Sequence, residues 1–268
     1  MQYDDEWFND ESFWQYFAPI MFDNKRWAEV SPVLDAITDL AQLNQYDVEH
    51  PQNVPCFIDV CCGPGRITTE AARRGFDVTG VDITKSYLDA AYSDAKSENL
   101  DVSFINCDVR NLAEHEELTN RYDIAVNLYN SFGYFKEDSD NFLFLRNVYK
   151  ALKNGGTFIM EVLGKEIAVR DFIETEWFTH SGYKVLTEYK PLDSWTRLQN
   201  RWILLDDRMP QGQRPKIIER TFTQRLYAAS ELSLLFFGAG FIQVDIYGAW
   251  DKSPYDQNAE TLIIVGRK

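Results

Sequence analysis

The sequence is short of basic side chains. Among 268 residues there are 27 Lys and Arg against 42 Asp and Glu, for a formal net charge of −15. Affinity for nucleic acid rests on cations meeting phosphates, and attraction to an anionic membrane needs basic clusters, so neither partner is expected. Histidine is scarcer still, with only His50, His115 and His180. The cysteines are Cys56, Cys61, Cys62 and Cys107. They lack C-x-x-C spacing and a nearby histidine, so neither a disulfide framework nor a metal site is expected, and a reducing, cytoplasmic setting is the default. Long apolar runs are missing. The longest mainly apolar stretch, about Leu232 to Val244, is broken by Ser233, Gly238, Gly240 and Gln243, short of the ~18 residues a membrane span requires. Met1 to Asp10 is acidic, without the basic start and apolar run of a signal peptide. No internal repeat is visible.

What remains is an ordinary globular composition, 45% hydrophobic and 26% charged, with a 15% share of aromatics. Its length gives a prior of about two domains, or one large α/β domain with an insertion. The acidity is uneven: residues 1–50 hold 11 acidic and 2 basic side chains. The same segment carries nine aromatics between Tyr3 and Trp27 and reads as helical. Ser31-Pro32 has the form of an N-cap followed by proline at the first helical position. Val33, Leu34, Ile37, Leu40 and Ala41 then follow a helical stripe. Gln45 to Pro55 reads as a linker.

From residue 55 strand and helix alternate. Cys56 to Val60 is a short apolar run ending at a glycine turn, as suits a buried parallel strand. Arg66 to Arg74 follows as a helix and Phe76 to Val81 as a strand. The next helix, Thr84 to Lys96, places Tyr87, Leu88, Ala91, Tyr92 and Ala95 on one face. Strands are expected over Val102 to Asn106, Tyr122 to Leu128 and Thr157 to Val162, with a helix from about Asp138 to Asn154-Gly155-Gly156. Between residues 165 and 228 the rhythm breaks. Trp177 to Lys190, Trp195 to Asp206 and Lys216 to Tyr227 read as successive strands joined by turns such as Met209-Pro210-Gln211-Gly212. The alternation then resumes, with a helix capped by Ser230 and strands at Phe241 to Tyr247 and Thr261 to Val265. The expected fold is α/β, a doubly wound Rossmann-like seven-stranded sheet with an N-terminal helical segment and an antiparallel β insertion. The boundaries are 1–50 for the segment, 51–164 with 229–268 for the core, and 165–228 for the insertion.

The chemistry concentrates in Ile58-Asp59-Val60-Cys61-Cys62-Gly63-Pro64-Gly65-Arg66, where the first strand passes into a helix. Glycines there admit a ligand close to the backbone, and a helix N-terminus offers free N–H groups. A dinucleotide site needs a third glycine, and Thr68 stands in its place. Asp82 ends the second strand at a spacing that suits a carboxylate accepting two ribose hydroxyls. Asp108, after the third strand, is placed to accept an adenine amino proton. Together they describe a site for an adenosine without a pyrophosphate.

On these residues the chain resembles the class I S-adenosylmethionine-dependent methyltransferases. The matching elements are the Asp59 to Gly65 loop, Val81-Asp82-Ile83, Cys107-Asp108-Val109, the Asp123 to Asn130 strand and Gly155-Gly156-Thr157-Phe158. They cover roughly residues 50–163 and 230–268. The resemblance implies S-adenosylmethionine as cofactor and S-adenosylhomocysteine as product. It implies that Asp59, Cys61, Gly63 and Gly65 bind the cofactor, with Cys61 and Gly63 presenting backbone to the methionine part, and that Asp82 holds the ribose. Ile83 would pack on the adenine, with Asp108 and Val109 reading its edge. Asn127 and Leu128 would lie near the methionine amine and the sulfonium. Cys61 departs from the family's usual glycine. The ends of the chain also resemble small-molecule methyltransferases in which an N-terminal helix closes over the cofactor and a β insertion forms a lid. Phe13 to Ala18 with Arg26-Trp27 would be the closing segment, and Arg26 would meet the cofactor carboxylate.

The expected reaction is in-line transfer of a methyl group to O or N of a small, aromatic or apolar acceptor, with alignment and water exclusion as the protein's main tasks. Aromatic faces suit a sulfonium. Trp14, Phe132, Tyr134 and Arg225 are candidates for the acceptor wall, and Tyr129 and His180 for catalysis, His180 as the base a hydroxyl acceptor needs. Two alternatives stand beside this reading. A nucleic-acid base methyltransferase would carry prolines after strand four, where this chain has Asn127-Leu128-Tyr129-Asn130. A non-catalytic S-adenosylmethionine-binding protein would bind without turnover.

Overall fold

The computed structural model describes residues 6–43, 54–206, 208 and 214–268. A 3-10 turn, Trp7–Asn9, leads into helices α1 (Glu11–Met21), α2 (Asn24–Ala28) and α3 (Val30–Leu40). Then come β1 (Cys56–Val60), α4 (Arg66–Arg73), β2 (Asp77–Asp82), α5 (Lys85–Ser97), β3 (Val102–Asn106), β4 (Tyr122–Asn127), α6 (Asp138–Ala151), β5 (Leu152–Val162) and α7 (Lys165–Arg170). Four strands follow, β6 (Thr175–His180), β7 (Tyr183–Leu192), β8 (Arg197–Asp206) and β9 (Lys216–Arg225), and the chain ends in α8 (Ala229–Ala239), β10 (Gln243–Tyr247) and β11 (Leu262–Arg267).

The main sheet has seven strands in the order β10-β11-β5-β4-β1-β2-β3. β3, β2, β1, β4 and β5 run parallel, and β11 is inserted antiparallel between β5 and β10. The chain winds outward from β1 through β2 to β3, then returns to place β4 on the other side of β1. That reversal opens a crevice at the carboxyl ends of β1 and β4, where doubly wound sheets bind ligands. Alternate residues of the strands feed two cores. Phe57, Ile124, Val126, Ile263 and Val265 face Val33, Leu34 and Ile37 of α3 and Ile67 of α4. Ile58, Ala125, Phe158 and Ile264 face Phe144, Leu145 and Phe236 of α6 and α8 and the aromatic N-terminus. Each fully buried large side chain contributes about 1.5–3 kcal/mol.

β6, β7, β8 and β9 form a second, antiparallel sheet. Its inner face carries Trp202 and Phe222, whose rings meet Phe17 at 5.4 Å and Phe13 at 5.3 Å. The N-terminal helices are held between this sheet and the main one. Arg220 reaches Ser12 Oγ at 2.8 Å and Asp10 at 3.3 Å, and Ser181 Oγ donates to the Pro19 carbonyl at 2.8 Å.

Several local expectations change. Trp177 to Lys190 is a hairpin rather than one strand, because Ser181 and Gly182 take φ of 50° and 80° and turn the chain back. Ser31 does not cap a helix: α3 starts one residue earlier, at Val30. Ser230 lies inside α8, which follows Ala228. Tyr92 is 56% exposed, off the buried stripe of α5. His50, most of the linker and the Met209 to Gly212 turn lie outside the described residues.

Candidate active site

The loop after β1 turns back over its own strand through three left-handed residues, Cys61 (φ 63°), Gly63 (φ 54°) and Gly65 (φ 74°). Gly65 is required twice over: besides its φ, a Cβ there would sit 2.8 Å from the Ala91 Cβ of α5. Cys61 takes the same conformation with a side chain, at a cost of about 1 kcal/mol or more. Asp82 joins this loop to the end of β2. Its Oδ2 accepts the Gly63 N–H and its Oδ1 the Thr84 N–H, each at 2.8 Å. Asp82 also lines the crevice. Burial pushes the Asp82 carboxyl above its ordinary pKa, against the pull of those two N–H groups.

The crevice is a cavity of about 960 Å³. The residues expected to meet the cofactor that line it are Cys61, Gly63, Asp82, Ile83, Asp108, Val109, Leu128 and Arg26. Asp108 is oriented by Arg110, whose Nε and Nη2 donate to its two oxygens at 2.6–3.1 Å and whose own N–H adds a third donor at 2.9 Å. Three predicted residues stand behind the wall. Asp59 is 4% exposed and accepts the Thr68 hydroxyl at 2.6 Å, so it braces the loop. Gly65 packs on α5. Asn127 is fully buried and donates to the Val60 carbonyl at 2.9 Å, tying β4 to β1.

Burial raises the Asp59 pKa to about 6, with the Asp82 charge adding and Thr68 opposing. A raised native pKa means that folding favours the protonated acid. That stability is complete below the ordinary carboxyl pKa of 3.8 and is lost as pH rises through about 6. Asp59→Asn removes the titration and keeps an acceptor for Thr68. Its unfolding free energy relative to the native chain, read by urea titration, is expected to rise between pH 4 and pH 7 by roughly 1–3 kcal/mol. Parallel pH profiles for the two proteins would refute this account.

The part of the lining expected to meet the acceptor is aromatic. Trp7, Phe8, Phe13 and Trp14 come from the N-terminus, Tyr129, Phe132, Tyr134 and Phe135 from the turn after β4, and Trp202 and Phe222 from the second sheet. Trp7 lies 4.7 Å from Tyr134 and 4.5 Å from Phe222, ring to ring. Tyr129 and Asn130 are left-handed at φ 56° and 64°. Glu161 of β5 holds them there: its Oε2 accepts the Tyr129 N–H at 2.7 Å and its carbonyl the Asn130 N–H at 3.2 Å. Gly133 fits against β9 only because it has no side chain; a Cβ would collide with the Arg225 carbonyl.

Two predicted residues are elsewhere. His180 is off the cavity wall, with its Nε2 3.2 Å from Asp23 Oδ2, so it joins the second sheet to the N-terminal helices. Arg225 is also off the wall. It is sequestered between Asp138, Glu231 and the Thr196 and Leu226 carbonyls. Arg66, Arg110 and Glu161, which sequence reasoning missed, are all partners of the site. The D-V-R run at Asp108 was a usable signal for Arg110.

Residues 57–156 match the methyltransferase-domain family. The match marks that part of the chain as a methyltransferase domain. It is 27% identical over 161 residues to the ubiquinone biosynthesis O-methyltransferase of Rickettsia bellii (strain OSU 85-389), covering 56% of this chain and 62% of that one. In general the chain spans about half the length of the curated relatives it matches. Among solved structures it resembles an S-adenosylmethionine-dependent methyltransferase from Clostridium acetobutylicum ATCC 824, with a TM-score of 0.72, 15% identity and 96% of each chain covered. It also resembles CalS10, an amino pentose methyltransferase from Micromonospora echinaspora solved with its cofactor bound, with a TM-score of 0.66, 16% identity and 95% and 97% coverage. At these identities the structural likenesses speak for the fold.

The residues present fit the cofactor. Asp82, an acceptor suited to hydroxyls, lines the cavity, and Ile83 and Val109 line it as apolar surface. The thiol of Cys61 is pushed well above its usual pKa by burial, then by the charges of Asp82, Asp59 and Asp108. That negative field suits an ammonium and a sulfonium. Among the described residues no helix is long and apolar enough to cross a membrane.

Proposed function

We propose that the protein transfers the methyl group of S-adenosylmethionine to O or N of a small-molecule acceptor, with amines preferred. The observation that carries this reading is the make-up of the acceptor-side wall. It is built from aromatic faces on three separate elements, and no histidine among the described residues lines the cavity. A neutral amine needs mainly positioning, which such faces supply. When bound, the cofactor supplies an electrophilic methyl: an acceptor lone pair forms the new bond to carbon while the carbon–sulfur electron pair returns to sulfur. The chain's own part is to hold, align and dry. The Trp7 and Trp14 rings, with Tyr134 and Phe222, enclose the acceptor and exclude water. Apart from Arg66, the charged side chains that line the cavity beyond the cofactor wall, Glu29, Glu161, Asp171, Glu176 and Glu260, are acidic, which favours an acceptor bearing an amine over an anionic one.

The relatives named above as a ubiquinone biosynthesis O-methyltransferase and an amino pentose methyltransferase are in keeping with a small acceptor. The test is an acceptor panel of small amines, amino sugars, phenols and an RNA, incubated with the cofactor and read by mass spectrometry. The expected result is a gain of one methyl on small amines, with RNA unmodified. Methylation of RNA alone, or cofactor binding without transfer to any compound, would overturn the reading.

A further inference from the structure

The first residue of α4 carries a charge that the described residues leave without a paired anion. Arg66 is 4% exposed, yet it lies on the cavity wall beside Gly63. Its guanidinium rests over the Tyr129 ring at 4.2 Å and the Phe22 ring at 5.3 Å. Its Nη1 donates to the Arg26 carbonyl at 2.6 Å. Among the described residues no carboxylate forms an ion pair with it. Asp59 attracts it through space, but that carboxylate is committed to Thr68. Removing a guanidinium from water without an anion costs several kcal/mol, so a buried arginine facing a cavity marks the place where a ligand brings the negative charge. A guanidinium has five N–H donors, so beyond the one given to Arg26 it keeps donors that match a carboxylate in a two-pronged bond.

Arg26, the expected partner of the cofactor's carboxylate, is placed differently. Its side chain is 51% exposed and already paired with Glu29 at 3.1 Å. Such a charge is screened by water and contributes little. The field near Cys61 is negative through Asp59, Asp82 and Asp108. The wall thus offers an acidic stretch and one buried cation, the complement of an α-amino acid.

We propose that Arg66, rather than Arg26, receives the α-carboxylate of the cofactor's methionine part and makes the site selective for adenosyl ligands that keep that carboxylate. This rests on the reading that the cavity binds S-adenosylmethionine.

Calorimetry with S-adenosylhomocysteine and with its decarboxylated form separates the two. The native protein is expected to prefer the carboxylate-bearing ligand by about 30-fold or more, the worth of a desolvated charge-assisted pair. Arg66→Gln is expected to lose that preference, with affinity for the decarboxylated ligand within about threefold of native. Arg26→Gln is expected to keep it. An equal fall for both ligands in Arg66→Gln, or loss of the preference in Arg26→Gln, overturns the assignment. If Arg66→Gln fails to fold, Arg66→Lys reads the same ratio: a reduced preference supports the assignment and an unchanged one overturns it. A native protein that binds neither ligand overturns the cofactor reading itself.

Discussion

Asp82→Ala is expected to weaken binding of S-adenosylhomocysteine by about 100-fold or more, because hydrogen bonds to a charged group are worth ~1.5–3 kcal/mol each and the substitution removes two. The loss has a second source. Asp82 also accepts the Gly63 and Thr84 N–H groups, so it fixes the loop as well as facing the ligand. Asp82→Asn separates these parts. The amide carbonyl can still accept one N–H, but its NH2 group meets the other N–H as a donor, and the negative charge is gone. Its affinity is expected to fall between native and alanine. Calorimetry gives the affinities, and a thermal melt of each free variant reports whether the loop change has spread to the fold. Unchanged affinity in Asp82→Ala would remove the ribose role.

The elements that place Asp82 were legible because buried parallel strands are short apolar runs with abrupt ends. Cys56 to Val60 and Tyr122 to Asn127 have no solvated face, so composition alone marks them. Asp82 and Asp108 could be located because they interrupt at the strand ends. The second sheet was harder. Its strands are half exposed, and the Ser181-Gly182 turn sits inside a long stretch of good strand formers, so two strands read as one. Ser31 and Ser230 were misread because capping depends on where the preceding helix or strand leaves the chain, which one residue type does not decide.

The site residues that sequence reasoning missed are charged. Arg66 opens a helix and Glu161 alternates along a strand, both positions where a charge normally faces water. Their burial is created by distant partners: Phe22 and Tyr129 close over Arg66, and Tyr129 and Thr261 take the oxygens of Glu161. His180 failed for the converse reason. It sits beside two aromatics in sequence, but pairing across the hairpin aims it at Asp23.

Arg225 is the residue whose assignment changes most, and its replacement is expected to have the largest effect on stability. It stands at the end of β9 with its side chain 7% exposed. Nε donates to Asp138 of α6 at 3.1 Å, Nη2 pairs with Glu231 of α8, and Nη1 reaches the Thr196 carbonyl at 3.3 Å and the Leu226 carbonyl at 2.5 Å. The guanidinium also covers the Tyr227 ring at 4.4 Å. One side chain thus fastens the second sheet to two helices of the main one. Arg225→Ala leaves two carbonyls and two carboxylates without their donor. Breaking a buried pair costs ~3–5 kcal/mol, but Asp138 and Glu231 are 62% and 38% exposed and regain water. A loss of about 2–4 kcal/mol is expected, read as a lower urea midpoint. Arg225→Lys is expected to recover only part of it, because an ammonium cannot span acceptors that a planar fork reaches together. Affinity for S-adenosylhomocysteine, measured well below the unfolding transition, is expected to stay within about threefold, since the side chain lies off the cavity wall. Native stability in Arg225→Ala, joined to a loss of acceptor binding, would return this arginine to the acceptor site.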